Sequence, residues 1–407
     1  MTAATSTTST PSSSSTRSSL TGWLGVWAVM AGIFSIVTTE ILPIGLLTSV
    51  GSAFGISDGE AGLMMTLPGI LAAVCAPVVT VATARIDRRL MLCAFIVLLA
   101  LANFLAAAAS AYWLVLVSRV MVGVTIGGFW SIGAGLAERL VPPESVGRAT
   151  AVIFSAVPLG SVLGVPAGTF IGSLAGWRTA FTCMGILAIG VFVMLALTVP
   201  SLPAVQVTGP DVLRGMLRSV GTRFALLMTF LVVLAHFAAY TYVTPFLEEV
   251  THVGPGVITV CLLVYGVAGI AGNFMGGAMV VRRPAATFGT VAGVLACATL
   301  LLPVLGRWEV GAIALLVVWG AAYGAVPVCS QAWFSASAPY APEAASVLFT
   351  ASFQATISVG ALAGGAVVDR TSPATVMAFG GSVAVLAVLT ACARRSALLG
   401  AGAGRRR

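Results

Sequence analysis

The chain has 407 residues, of which 59% are hydrophobic and only 8% are charged, and its mean hydropathy is +1.07. A soluble globular protein of this length does not have such a composition. The net charge of +8 comes from arginines dispersed through short polar segments, without a single lysine. The composition therefore predicts a membrane protein whose partner is the lipid bilayer, and it argues against nucleic acid as a partner.

Motifs for catalysis, metal binding and ATP binding are absent from the sequence. The seven cysteines lie in or at the edges of apolar segments without a CxxC pair, so we expect free thiols and no metal site. There is no GxSxG or HExxH motif, and a phosphate-binding GxxxxGK[ST] loop is impossible without lysine. We expect neither an enzyme nor a cofactor, with a membrane-embedded enzyme or a channel as the alternatives.

Twelve apolar segments follow a polar N-terminus. Residues 1–22 are rich in serine and threonine, and we predict a disordered cytoplasmic tail there. Each later segment has at least about 18 residues, the length that crosses about 30 Å of hydrocarbon. We number them spans 1 to 12 and predict them at 23–49, 59–82, 90–110, 112–136, 149–173, 177–199, 223–247, 255–281, 286–305, 309–333, 344–368 and 373–393.

The arginines support this division, because basic residues accumulate in cytoplasmic loops. With the N-terminus inside, sixteen arginines fall on the cytoplasmic side, against Arg178, Arg307 and Arg370 in outer loops and Arg119 inside a span. Shifting the count by one span would destroy this asymmetry. We therefore predict a multi-pass protein with both termini in the cytoplasm.

The longest internal polar stretch divides the chain into two halves. We predict a cytoplasmic linker at 201–222 between six-helix bundles at 23–200 and 223–395, with a cytoplasmic tail at 396–407. Spans 1 and 7 both end near a proline, and aligning Pro43 with Pro245 places Tyr242 opposite Glu40. Repeated halves around a midplane site are typical of secondary transporters.

Glu40 is the only acidic residue in the interior of a predicted span, away from its ends. A carboxylate there costs about 2.5 to 3.5 kcal/mol on insertion scales, so it suggests proton carriage or the binding of a substrate or ion. Arg119 in span 4 lies at a similar predicted depth. The two charges are expected to face each other or a shared aqueous cavity, or to form a structural ion pair.

Span 4 places Arg119, Gly123, Gly127 and Trp130 on one helix face. The glycines allow a neighbouring backbone to approach closely, and Phe129 and Trp130 either line a cavity or only pack.

Span 5 carries glycines at nearly every fourth position around a proline, which predicts a flat packing face and a bent helix axis. Such a face suits either a seam that rocks or a static helix dimer, and its central residues are Gly160, Gly164, Pro166 and Gly168.

His236 in span 7 is the only histidine within a span, and Tyr240 follows on the same face. It could share proton transfer with Glu40, or it could be a hydrogen-bonded packing residue. Asn273, Gln331 and Gln354 are further strongly polar groups in spans, and each could bind substrate or join helices.

From Trp23 to about Arg395 the chain resembles the major facilitator superfamily, and within it the bacterial drug:proton antiporter branch that includes sugar, chloramphenicol and purine ribonucleoside efflux permeases. The residues that carry the resemblance are Thr39-Glu40 with Pro43, Asp87-Arg88-Arg89, Arg119 with Gly123, Gly127 to Trp130, Arg139 to Pro143, Gly164 to Gly168, Gly176-Trp177-Arg178, Trp319 to Pro327, and Gln354 with Gly364, Gly365 and Asp369.

The resemblance implies an all-α membrane fold of twelve transmembrane helices in two pseudo-symmetric six-helix bundles. It implies that Asp87, Arg88 and Arg89 latch the halves in the outward-open state, although the loop here is shorter than usual and lacks two glycines. It links Arg119 to proton transfer and the span 5 glycines to antiport. The predicted substrate cavity is lined by Phe129, Trp130, Tyr240, Tyr242, Asn273, Trp319, Gln331 and Gln354.

The resemblance and the residues together predict proton-coupled export of a small amphipathic molecule, such as a drug, nucleoside or sugar, by alternating access. Glu40 carries the proton, with Arg119 as modulator and His236 as helper. The alternative is proton-coupled uptake of a nutrient on the same fold. The expected partners are a small-molecule substrate and protons, and we expect a monomer in the cell membrane of a bacterium.

Overall fold

The computed structural model describes residues 19–82, 86–133, 136–203, 215–280, 284–337 and 342–404, and within these ranges it contains helices and no strands. Twelve helices are long and apolar enough to cross a membrane, which confirms the predicted number of spans within the described residues. The predicted N-terminal tail up to residue 18 and the middle of the predicted linker, residues 204–214, lie outside the described residues.

The observed spans agree with the predicted ones to within a few residues at most ends. The helix of span 12 continues beyond the membrane-spanning part, as Pro373–Gly404. In chain order, spans 1 to 12 are Leu20–Phe54, Asp58–Ala76, Arg88–Ala107, Tyr112–Trp130, Pro143–Ala175, Trp177–Thr198, Val220–Tyr240, Pro255–Val280, Ala286–Leu305, Glu309–Phe334, Leu348–Val368 and Pro373–Ala393.

Spans 1 and 7 are interrupted at corresponding places. Span 1 consists of the α-helix Ser19–Ile41, a 3-10 turn at Leu42–Leu46 and a second α-helix, Leu47–Phe54. Span 7 is followed after a two-residue turn by the helix Val243–Glu249, which contains Pro245. Proline has no N–H to donate within a helix, so a proline in each half explains the two interruptions.

Helix packing repeats between the two halves. Spans 1 and 5, 2 and 4, and 3 and 6 are paired in the first bundle, as spans 7 and 11, 8 and 10, and 9 and 12 are in the second. Between the bundles, span 2 packs against span 11 and span 5 against span 8. This arrangement confirms the predicted all-α fold of two pseudo-symmetric six-helix bundles.

The span 5 glycines form the contact with span 1. A Cβ atom at Gly160 would lie 2.9 Å from Val37 Cγ1, and one at Gly164 would lie 2.9 Å from Ile41 Cγ1. At Gly168 it would lie 2.9 Å from Leu42 Cδ1. A side chain added at any of these glycines would have to displace a side chain of span 1, and Glu40 lies in span 1 between the seam residues Val37 and Ile41. Span 11 approaches span 7 in the same way.

The bundles are joined at the Glu40 end of the molecule. One buried apolar cluster combines Ile44, Met65 and Val165 of the first bundle with residues of the second, and another places Tyr242 among first-bundle residues. At the opposite end, two described clusters each contain residues of one bundle only. The structure is therefore closed at the end that carries the 1–2, 7–8 and 11–12 connections, which we call the closed end.

The glycine seam predicts a position-specific cost of added volume. We expect Gly164→Val to destabilise the protein by about 1–3 kcal/mol, because the new side chain overlaps Ile41 and Thr38 in a packed contact. Gly190→Val in span 6 is the matched control, since a Cβ atom there meets nothing within 4 Å. Thermal unfolding of the purified variants in detergent measures the difference, and equal melting temperatures would contradict the seam.

Candidate functional site

Glu40 lies in the last turn of the first helix of span 1, directly before the interruption. Its side chain is only 7% exposed. The carboxylate accepts a hydrogen bond from Nε2 of Gln354 in span 11, with 2.9 Å between Nε2 and Oε1. The buried carboxylate therefore makes its hydrogen bond across the interface between the two bundles.

Arg119 is enclosed completely, with 1% of its surface exposed. Its guanidinium donates to main-chain oxygens, from Nη2 to Thr39 at 2.9 Å and to Glu40 at 3.1 Å, and from Nε to Met64 at 3.1 Å. These bonds tie span 4 to spans 1 and 2. The positive charge is close to the Glu40 carboxylate, but its hydrogen bonds go to the backbone.

Two prolines explain why those carbonyl groups need a donor. The oxygen of residue i in an α-helix normally accepts from the N–H of residue i+4. Position i+4 is Pro43 for Thr39 and Pro68 for Met64, and proline has no N–H. Arg119 supplies the missing donors at both places. The structure thus gives Arg119 a structural task that the sequence argument did not identify, although the proline spacing is visible in the sequence.

His236 lies in an aromatic cluster of the second bundle. Its Nδ1 accepts a hydrogen bond from Trp319 Nε1 at 3.1 Å. Its ring stacks on Tyr323, with 3.3 Å between ring centroids, and on Tyr240 at 4.9 Å. An Nδ1 that accepts a hydrogen bond carries no proton, so this contact favours the neutral ring.

Sequence reasoning missed two members of this cluster, Tyr265 and Tyr323. Tyr265 stacks on Tyr240 with 4.5 Å between ring centroids, and its buried hydroxyl has no hydrogen-bond partner. Tyr323 stacks on His236 and packs edge-on against Phe237. Tyr240, Tyr265 and Trp319 share one buried apolar cluster with Ile44 and Met65 of the first bundle, so the aromatic cluster reaches the interface between the bundles. Tyrosine in an apolar segment usually indicates packing, so the sequence alone contained no distinct signal.

The other predicted cavity residues lie in different surroundings. Phe129 is fully buried in the first bundle with its ring against Gly32, which is the position of a packing residue. Trp130 is half-buried and packs against Phe154. Asn273 is half-buried and Gln331 is exposed.

Tyr242 is fully buried at the closed end. Its hydroxyl donates to the Ala361 carbonyl oxygen at 2.8 Å, and it lies so close to Gly62 of span 2 that a Cβ atom there would overlap it. Tyr242 and Glu40, which occupy aligned positions in spans 7 and 1, thus both contact span 11.

Polar contacts across the bundles complete the closed end. Asp369, after span 11, accepts from Ser57 Oγ at 2.9 Å and from the Gly59 amide at 2.8 Å, so it caps the first turn of span 2. Thr48 Oγ1 donates to Glu248 Oε1 at 3.2 Å. Burial raises the pKa of the Glu248 carboxyl, the Thr48 hydrogen bond lowers it in part, and the charges of Asp58 and Glu249 raise it further.

The loop between spans 2 and 3 contacts its own bundle. Asp87 begins the helix of span 3 by accepting from the Arg89 and Leu90 amides, and it also accepts from Ser201 Oγ. Partial burial raises the pKa of Asp87, but these hydrogen bonds outweigh it and leave the pKa lowered. The Arg88 amide donates to the Leu202 carbonyl oxygen and the Arg89 guanidinium to that of Ala196. The predicted latch residues thus contact the end of span 6.

A crevice of about 410 Å³ lies beside Pro166 in span 5. Its walls come from spans 1, 5, 6 and 8 and are almost entirely apolar, with Thr38 as one of the few polar contributors. The Thr38 hydroxyl is buried and has no hydrogen-bond partner. The crevice therefore lies on the span 5 side of span 1, beside the glycine seam.

Two six-helix bundles that pack together at one end, with a buried carboxylate where they meet, have the architecture of a membrane transporter. The Major Facilitator Superfamily profile matches residues 23–355. The chain belongs to this superfamily.

Several known proteins are similar to it over most of their length. "Transcription regulatory protein OpdE" of Pseudomonas aeruginosa is 32% identical over 379 residues, which are 92% of this chain and 94% of that protein. "Purine ribonucleoside efflux pump NepI" of Escherichia coli K12 is 28% identical over 372 residues, which are 91% and 94% of the two chains. The crystal structure of a bacterial homologue of the human lysosomal transporter Spinster, inward-facing and unoccupied, shares the fold at 16% identity, with a TM-score of 0.73 over 92% of this chain and 96% of that chain.

The proline contacts of Arg119 predict a specific coupling between two substitutions. Arg119→Met leaves buried carbonyl oxygens without donors, at a cost of about 1–3 kcal/mol for each. Pro68→Ala restores an N–H that can pair with the Met64 oxygen. We therefore expect Arg119→Met to cost about 1 kcal/mol less in the Pro68→Ala background. Thermal unfolding of the four proteins of this cycle measures the coupling, and strictly additive effects would contradict it.

Proposed function

We propose that this transporter exports a small amphipathic molecule in exchange for protons. The observation that carries the proposal is the Glu40 carboxylate, which is buried at the joint between the bundles and hydrogen-bonded to Gln354 of the opposite bundle. An ionisable group in a span is expensive and is usually functional. At this interface, its surroundings change whenever the bundles rock.

In the proposed cycle the bundles separate at the closed end, and Glu40 takes a proton from water there. The bundles then close again and separate at the opposite end, where Glu40 releases the proton and substrate binds. Arg119 stays beside Glu40 throughout, because its hydrogen bonds hold spans 1, 2 and 4 of one bundle together. Its positive charge offsets part of the cost of a buried carboxylate.

Glu40 alone is the proton carrier in this proposal. Protonating His236 at Nδ1 would break the hydrogen bond from Trp319. We therefore assign His236 to the aromatic surface that it forms with Tyr240, Tyr265 and Tyr323.

That aromatic surface supports an amphipathic substrate with a planar part, since such rings stack on flat apolar groups. NepI, which is named a purine ribonucleoside efflux pump, supports a nucleoside as one candidate and export rather than uptake as the direction. Drugs and sugars remain in the panel to be tested.

The arginine distribution supports an orientation with both termini in the cytoplasm, in the cell membrane of a bacterium. In this orientation the closed end is the outer end, so the described conformation faces inward. We propose that a single chain suffices for transport, since each bundle supplies one side of the joint.

Glu40→Gln tests the proposal directly. Glutamine preserves the size and polarity of the side chain but has no proton to exchange at physiological pH. We therefore expect pH-driven export to fall to the level seen in cells that carry an empty vector. Folding and the amount in the membrane should not change. Resistance and accumulation in a pump-deficient bacterial host, with a panel of nucleoside analogues, sugars and phenicol drugs, are the measurements.

Glu309→Gln is the matched control, because Glu309 is an exposed carboxylate at the start of span 10. This variant should export as the parent does. Full proton-coupled export by Glu40→Gln would refute the role of Glu40. Increased rather than decreased accumulation of a panel compound by the parent protein would instead support proton-coupled uptake.

A further inference from the structure

We propose that Gln354 is the positioning residue that links the protonation of Glu40 to the closure of the outer end. When the bundles close there, the Gln354 amide stabilises the Glu40 carboxylate and promotes release of its proton toward the opposite, open side. This inference rests on the proposed role of Glu40 as proton carrier. It assigns to Gln354 a task different from lining a substrate cavity.

The contact exists only because the two bundles meet. Gln354 and Glu40 are 6% and 7% exposed, and Nε2 and Oε1 lie 2.9 Å apart. Span 11 approaches span 2 at this level so closely that a Cβ atom at Gly69 would overlap the Gln354 carbonyl oxygen and the Ser358 hydroxyl. The side chain of Gln354 is thus held at Glu40 by backbone packing between the bundles.

The groups that face Glu40 divide by bundle. Arg119 belongs to the same bundle as Glu40 and is bonded to the backbone of spans 1 and 2. Gln354 of span 11 and Tyr323 of span 10 belong to the other bundle. Separation of the bundles at the outer end therefore removes Gln354 and leaves Arg119 in place. Of the titratable and charged groups on these helices, Arg119 stays beside Glu40 in both states, and Tyr323 carries no charge.

A donor that is present in only one conformation makes the proton affinity of Glu40 depend on conformation. A hydrogen bond to a carboxylate favours the ionised form over the carboxylic acid. Its loss changes the ratio of the two forms by about 10- to 100-fold. Glu40 therefore binds its proton more readily when the outer end is open and passes it to water on the other side when that end is closed.

The same coupling works in reverse, because linkage between two equilibria is reciprocal. An ionised Glu40 holds the outer end closed through Gln354. The empty carrier that has lost its proton is thus kept facing inward until substrate binds, which limits futile return to the outward-facing state. A residue that merely joins two helices would not produce this dependence on protonation.

The test measures opening of the outer end without any substrate. Spin labels on non-canonical amino acids at Ala53 and Gly254, which are exposed outer-end positions of opposite bundles, report the distance between the bundles. This labelling keeps the seven native cysteines. Pulsed electron resonance of the full chain in lipid nanodiscs then gives the ratio of closed to open populations between about pH 5 and about pH 9, the range in which a buried carboxyl titrates.

The parent, Glu40→Gln, Gln354→Leu and the double variant form a cycle. Subtracting the Glu40→Gln profile removes contributions from other groups, such as Glu248, whose raised pKa makes closure more favourable at low pH. The remaining change should be a rise in the closed-to-open ratio of about 10- to 100-fold with increasing pH in the parent. In Gln354→Leu the change in the closed-to-open ratio over the same pH range should be less than about threefold, because the donor is gone.

Two further variants make the result specific. Gln354→Met preserves the side-chain length without a donor, so it should show the same reduced pH dependence that we expect of Gln354→Leu. It also provides the measurement if the leucine variant fails to fold. Thr356→Val, which removes a buried hydroxyl bonded within span 11, should retain the parent profile.

Retention of the full parental change by the methionine or leucine variant would overturn the inference about Gln354 while leaving Glu40 as carrier. A parental profile in Glu40→Gln would overturn the proposed proton carrier itself.

Discussion

The hydrocarbon core of a membrane contains no water, so every backbone carbonyl there needs a donor from the protein. Pro43 and Pro68 each remove one such donor, and the Arg119 guanidinium replaces both. This exchange is the constraint on which the site depends. It allows span 1 to be interrupted immediately after Glu40. It also places a positive charge near the Glu40 carboxylate, while the hydrogen bonds of Arg119 go to main-chain oxygens and leave the carboxylate oxygens for other partners.

The carboxylate is consequently free to interact with the opposite bundle. Several contacts then cross the interface, among them the Asp369 cap on span 2, the packing of Tyr242 against Gly62, and the Glu40–Gln354 hydrogen bond. Of these three, only the Glu40–Gln354 contact involves a carboxyl group inside a span, which can gain or lose a proton. In the proposed mechanism the first two contacts close the gate, and the third responds to the state of the carrier.

Much of this architecture could be predicted from the sequence, because it follows from local rules. Segment length and arginine placement predicted twelve spans, and the cost of a buried charge drew attention to Glu40 and Arg119. The partners of those two residues could not be predicted. Gln354 is 314 positions from Glu40 in the chain, and no periodicity relates them. The aromatic cluster around His236 was predicted only in part: Tyr240 and Trp319 were expected to line a cavity, whereas Tyr265 and Tyr323 of spans 8 and 10 resemble ordinary packing residues.

The glycine seam between spans 1 and 5 has a consequence for sequence divergence. A side chain at position 164 requires a comparable loss of volume at position 41. The same steric relation holds between positions 160 and 37 and between positions 168 and 42. Substitutions on the two helices should therefore be inherited as compensating pairs. Exposed positions such as Gly190, where an added Cβ atom would meet nothing within 4 Å, are free to drift independently.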